Sequence, residues 1–230
     1  MKHPGPALRS DLRFLLRAAL VIGAVLAVSC AVVVVAMWEV RHYHDVLENG
    51  PLELAQLALL ALSSAALAFR AVREPESRKP LLLLALTALA MCVRELDGFF
   101  DVALFHGSWA LLDAFVLLAF LAVAFRGFGR TVSQLADFVT SPTFILFATG
   151  FTLAAVISRL LGMKENWYAF FDFVPGDGTD ALNPFTGNSI RRCVKNAVEE
   201  SFELGSYLVI LAGAVVPPLL RRSSAGSVRR

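Results

Sequence analysis

The chain has 230 residues, of which 57% are hydrophobic and 17% charged, with a mean hydropathy of +0.65 and a net charge of +2. That composition excludes a water-soluble domain, which needs more polar surface, and the net charge says little by itself, because its distribution along the chain carries the information. Runs such as AVVVVAM (31–37) and PLLLLALTALAM (80–91) do not alternate as a membrane β-barrel would. The expected fold is all-α: one polytopic domain, 1–230, built as a six-transmembrane-helix bundle.

In chain order, the first predicted span covers about 17–38 and follows a basic stretch with Lys2, Arg9, Arg13 and Arg17. AVSC at 27–30 resembles a lipoprotein cleavage box only faintly, and the apolar run continues to Trp38, so the segment reads as a retained helix. The loop after it, WEVRHYHDVLENGPLE, offers Glu39, His42, His44, Asp45 and Glu48 as metal-competent types. A solvated loop is the stronger reading of these residues. The second span, about 52–69, opens with Glu53 and Gln56. The third, about 81–97, closes with Arg94, Glu95 and Asp97. The fourth, about 108–125, carries Asp113, with His106 and Trp109 at i, i+3 and i+7 spacing. TVSQLADFVT at 131–140 reads as a connector before Pro142, with a short interfacial helix as the alternative. The fifth span, about 142–161, closes with Arg159. A lid loop then runs from 161 to 198, with a turn-rich segment around Asp172, Asp177, Asp180 and Asn183 and a basic end at Arg191, Arg192 and Lys195. The sixth span, about 199–220, opens with Glu199, Glu200 and Glu203. Cys30 and Cys92 lie in apolar runs and Cys193 in the polar loop, which defines neither a disulfide framework nor a zinc site.

The charges sort by alternate loops. The N-terminus, 70–79, 126–141 and the C-terminal tail hold most of the 21 Lys and Arg residues, but only Asp11, Glu74, Glu76 and Asp137 among the 19 acids. The positive-inside rule then puts both termini in the cytoplasm of a cell membrane, the inner or plasma membrane. Trp38, Tyr43, Trp109, Trp167 and Tyr168 fall near the outer boundary, where an aromatic belt is expected.

This orientation gathers polar side chains from five spans at one outer level. Glu200, Glu203 and Tyr207 lie at i, i+3 and i+7 and share a helical face, as do Glu53 and Gln56. A charge facing lipid costs about 2.5–3.5 kcal/mol at mid-bilayer, so these faces are expected to turn toward one another. Glutamates at a helix start are also favoured by the helix dipole, which accounts for Glu199 and Glu200 more readily than for the deeper Glu203 and Asp113. Below this level the expected helices carry only uncharged polar groups such as Ser63, Ser64 and Thr87, which argues against a conducting path through one chain.

The leading functional expectation is an outward-facing, carboxylate-rich pocket that binds a cation or a lipid head group, as in a membrane-embedded lipid hydrolase or transferase. Glu200, Glu203, Asp113 and Glu53 are the candidate catalytic groups. Arg94, Arg159, Tyr207 and Gln56 are the candidate substrate-binding groups. Glu95, Glu199 and His106 are candidate ligands for a divalent metal. No G-x-S-x-G, H-E-x-x-H or P-loop motif is present. The alternatives are a non-catalytic envelope sensor or assembly subunit, and an ion- or proton-coupled transporter. Membrane lipids, a second copy of the chain or a membrane-complex partner are the expected partners, and nucleic acid is not.

Overall fold

The computed structural model describes residues 6–43, 47, 50–163 and 189–219. In chain order these form α1 (Pro6–Tyr43), α2 (Pro51–Arg73), a 3-10 turn (Pro75–Ser77), α3 (Arg78–Arg94), α4 (Asp97–Ala103), α5 (Trp109–Phe125) and α6 (Phe128–Phe138). They continue with α7 (Pro142–Thr152), a π turn (Leu153–Ser158), α8 (Arg159–Leu161) and α9 (Ile190–Leu219). There is no strand among the described residues. The all-α expectation holds in that form.

Four helical stretches are long and apolar enough to cross a membrane: Phe14–Tyr43, Pro51–Arg73, Pro142–Leu161 and Arg192–Pro218. A fifth exists if α5 and α6, which meet at 92°, count as one bent span. The six expected spans therefore need revision in detail. The third predicted span breaks at Glu95, where α3 ends after 17 residues and α4 begins two residues later. The last helix begins at Ile190 instead of 199, so the basic end of the expected lid loop is helical and Cys193 is a buried helix residue. Residues 164–188, with the turn-rich acidic segment, lie outside the described residues, as do His44, Asp45 and Glu48.

Local chemistry explains several boundaries. Proline sits at the first position of α2 and of α7, where its missing N–H costs nothing. The Ser141 hydroxyl accepts a hydrogen bond from the Phe144 N–H (3.2 Å) and caps α7. Gly127, at φ 72°, supplies the left-handed residue between α5 and α6. The Lys79 ammonium fixes that corner by donating to the carbonyl of Arg126, to that of Gly127 (3.1 Å) and to the Thr131 hydroxyl (2.6 Å). Segment 131–140, read mainly as a connector, is largely the helix α6.

The helices pack side by side in the order α5, α3, α2, α9, α7, with α1 laid against α2 and α9. The core runs through α2 (Leu52, Leu59, Leu60, Leu67), α3 (Leu81, Ala85, Ala88) and α9 (Leu204, Tyr207, Ile210, Ala214). Apolar side chains also cover the outside: Leu15, Leu16, Leu20, Leu26 and Val34 of α1 are each at least 60% exposed, and α5 buries none of its residues. Such surfaces are tolerated in lipid and not in water.

Where apolar burial no longer drives association, close packing and hydrogen bonds do. At the contact of α7 with α9, a Cβ on Gly150 would lie 2.7 Å from the Ser206 carbonyl oxygen and 2.7 Å from Ile210 Cγ1. Further along, Pro217 and Pro218 sit inside α9 and cannot donate to the carbonyls four residues back. Arg70 of α2 satisfies the carbonyl freed by Pro218: its Nη1 donates to the Ala214 oxygen (3.0 Å) and to Thr143 Oγ1 (3.0 Å), while Nε pairs with Glu74 (2.9 Å).

Glu39 is fully buried at the other end of the bundle. Its Oε1 accepts from the Leu47 N–H (2.8 Å) and its Oε2 from the Leu52 N–H (2.9 Å). Leu52 is the second residue of α2, whose N–H has no partner inside the helix. Glu39 is therefore an anionic cap delivered from α1, and the metal-competent reading of the first loop does not describe it.

Two outcomes are expected. Gly150→Ala should destabilise the detergent-solubilised protein by about 1–3 kcal/mol, whereas Gly205→Ala, with no atom within 4 Å of its Cβ, should leave the thermal unfolding curve unchanged or slightly raised. Glu39→Gln turns an amide NH₂ toward a backbone N–H and should cost about 1–3 kcal/mol in the same assay.

Candidate functional site

The site lies at the end of the bundle that carries the start of α2 and the end of α3. Four segments feed it. Helix α2 contributes Glu53, which is half-buried, and Gln56, which is fully buried. The residue capping the C-terminus of α3 is Glu95. The π turn and α8 contribute Ser158 and Arg159. Helix α9 contributes Lys195, Glu199, Glu200, Glu203 and Tyr207, of which Glu199, Glu203 and Tyr207 are buried.

Hydrogen bonds join these residues across helices. Gln56 Nε2 donates to Glu200 Oε2 (2.9 Å) and to the Glu200 carbonyl (3.1 Å), tying α2 to α9. The Tyr207 hydroxyl donates to Glu95 Oε1 (2.8 Å), tying α9 to α3. Ser158 Oγ donates to Glu203 Oε1 (2.9 Å), and Arg159 Nη2 donates to the same oxygen (2.9 Å). Arg159 Nη1 reaches Glu199 Oε1 (3.3 Å), and Lys195 Nζ reaches Glu199 Oε2 (2.8 Å). Neighbouring residues on a regular helix point about 100° apart. Ser158 and Arg159 nevertheless meet on one oxygen, where the helix is widened by a π turn, a feature common at functional sites.

Two kinds of carboxylate result. Glu199 and Glu203 are ion-paired. Glu95 and Glu200 are held by neutral donors, a phenol and an amide. Glu95 is within electrostatic reach of Glu203, Glu200 and Glu53, and Glu200 is within reach of Glu203, Glu53 and Glu199. Gln56 has spent both bonds of its NH₂ group on Glu200, which leaves its Oε1 buried with no hydrogen-bond partner among the described residues. A buried acceptor without a donor, beside negative charge, marks a position suited to a positively charged or donating group.

Glu53, Gln56, Glu95, Arg159, Glu199, Glu200, Glu203 and Tyr207 are thus gathered at one level. Asp113 is not among them: it lies on α5, which packs on α3, α4 and α6, and it lines a separate groove. His106 belongs to the exposed turn before α5, so the expected helical face with Trp109 and Asp113 does not form. Arg94 is exposed at the end of α3, outside this set of bonds. No group of three His, Cys, Asp or Glu side chains among the described residues could hold a metal ion. Glu199, an expected ligand, has both oxygens taken by Lys195 and Arg159.

The sequence does not single out Ser158, and it places Lys195 in the basic end of the lid loop instead of in this site. Lys195, Glu199 and Glu203 follow i, i+4, i+8 spacing, a signal that was hidden by ending the helix at 199. The π turn has no comparable signature.

Comparison with protein-family models, with curated proteins and with solved structures finds no match to this chain.

Arg159 is half-exposed while Glu203 is almost fully buried, so removing the arginine mainly strands Glu203. Arg159→Met should cost about 1–3 kcal/mol of unfolding stability. Arg159→Met combined with Glu203→Gln should recover most of that loss, and a double-mutant cycle on thermal unfolding measures the coupling.

Proposed function

We propose that the chain is a multi-pass membrane protein, with both termini in the cytoplasm, whose outward-facing carboxylate cluster binds a small monovalent cation. The observation that carries this reading is the Gln56 Oε1 beside Glu200, which has no hydrogen-bond partner among the described residues, in a cluster where those residues hold Glu95 and Glu200 only by neutral donors. In surroundings that screen charge poorly, such carboxylates bind a proton, a metal cation or ordered water. Glu95, Glu200 and the Gln56 oxygen supply the hard oxygen ligands that hydronium or an alkali cation prefers. The set lacks the denser arrangement that a divalent ion needs.

Binding is favoured over catalysis because Glu199 and Glu203, two acids available for proton transfer, are engaged by Arg159, Lys195 and Ser158. Binding without conduction is favoured because polar groups farther along the bundle bond to backbone: Ser63 to the Leu59 carbonyl, Ser64 to that of Ala85 and Thr87 to that of Leu83. The cluster then acts as a receiving site for extracellular cations, coupled by α9 to the whole bundle.

Thermal unfolding in sodium, potassium, lithium or choline chloride at constant ionic strength tests the reading. A cation at a hundred times its dissociation constant stabilises the folded state by about 2.7 kcal/mol. One small cation should raise the melting temperature over choline, and Gln56→Leu and Glu95→Gln should each remove most of that gain. If the four salts give superimposed curves and purified protein takes up no protons beyond those of Glu95→Gln, the proposal fails.

A further inference from the structure

Asp113 poses a separate problem. It sits in a groove of about 500 Å³ between α3 and α5, lined by Thr87 and Ala90 on one side and by Trp109, Asp113, Leu117 and Phe120 on the other. Its Oδ1 is buried with no hydrogen-bond partner, and no ion pair reaches the side chain among the described residues. Helix α5 is otherwise sheathed in exposed Leu and Phe, so an unpaired carboxylate here is costly unless something brings it a positive, hydrogen-bonding group.

We propose that this groove binds a lipid whose head group carries a primary ammonium, the ammonium paired with Asp113 and an acyl chain lying along Leu117 and Phe120. The volume falls in the range of ligand sites, about 300–1,000 Å³. The polarity is graded in the right order. Trp109 and Asp113 are one turn apart at the start of α5, and Leu117 and Phe120 follow on the same side toward its middle. Trp109 sits where an indole meets a membrane boundary and can also face a cation. Thr87 Oγ1 donates to the Leu83 carbonyl (3.0 Å), so its lone pairs remain to accept a second N–H from the head group. The polar oxygens of the groove, on Asp113 and Thr87, are therefore both acceptors. They select a head group with N–H donors over a quaternary one and reject an anionic one.

Trp109 is the built-in reporter. The chain has three tryptophans, and replacing Trp38 and Trp167 by Phe leaves Trp109 alone. This protein, in nanodiscs of phosphatidylcholine, is titrated with phosphatidylethanolamine, phosphatidylcholine or phosphatidylglycerol brominated on the acyl chain, and Trp109 quenching is read. Phosphatidylethanolamine should reach half-quenching at a mole fraction roughly threefold to tenfold lower than the other two, the range of one hydrogen bond partly screened at a membrane boundary. Asp113→Asn should abolish that difference while folding normally, since it keeps the shape and removes a half-buried charge. Leu117→Trp paired with Trp109→Phe fills the groove and moves the reporter into it, and should weaken selective quenching. Equal quenching by all three lipids, or a preference that survives Asp113→Asn, overturns the proposal. A Trp109 shielded from every brominated lipid also overturns it, because the groove is then covered by protein, with a second copy as the first candidate.

Discussion

A charge or an unpaired hydrogen-bonding group inside an apolar medium must find a partner, and in this chain the partners come from other helices. Glu39 of α1 satisfies the first N–H groups around α2. Gln56 of α2 satisfies Glu200 of α9, and Tyr207 of α9 satisfies Glu95 at the end of α3. At the far end Arg70 of α2 satisfies a carbonyl that prolines expose on α9. Apolar contact alone gives little preference for one helix arrangement over another when the solvent is itself apolar. These polar contacts supply the specificity, and all but the Glu39 cap converge on α9.

That convergence places the candidate site where disturbance spreads. Helix α9 touches α1, α2, α7 and the π turn, and four of its side chains at the site (Glu199, Glu200, Glu203 and Tyr207) hold partners on other segments, with Arg159 shared by Glu199 and Glu203. The close approach at Gly150 locks α9 to α7 on one side, while Gln56 holds it to α2 on the other. A cation arriving near Glu95 and Glu200 would thus act on a helix that contacts much of the bundle.

Much of this was readable before any coordinates. The apolar runs marked the helices, and the depth of Glu53, Gln56, Glu95, Glu200, Glu203 and Tyr207, with their i, i+3 spacing, marked a shared level. What the sequence withheld was rotation and neighbourhood. The sequence places Asp113 in the same outer layer as the others, but a shared layer does not say which helices are adjacent, and α5 packs on α3 instead of on α2 or α9. Glu39 looked like a loop acid because its partners are backbone N–H groups, which have no sequence signature. The early start of α9 was hidden by Arg191, Arg192, Lys195 and Asn196, polar residues that resemble a loop when apolarity is the criterion for a span. The end of α3 at Glu95 falls among Arg94, Glu95 and Asp97, the charges that close the third expected span, whereas the short helix α4 that follows has no comparable signal.

The Glu39 cap has a mechanical corollary. At about 1.5 Å per residue, the 38 residues of α1 form a rod of about 57 Å. Among its described side chains the buried ones, Val32 and Glu39, both lie in its last third, and only 6% of its apolar window is covered. A rod clamped near one tip is a lever. The pivot is a carboxylate gripping the Leu52 N–H at the threshold of α2, next to Glu53, so a sideways push on the distal arm of α1 is delivered at the doorstep of the acidic cluster.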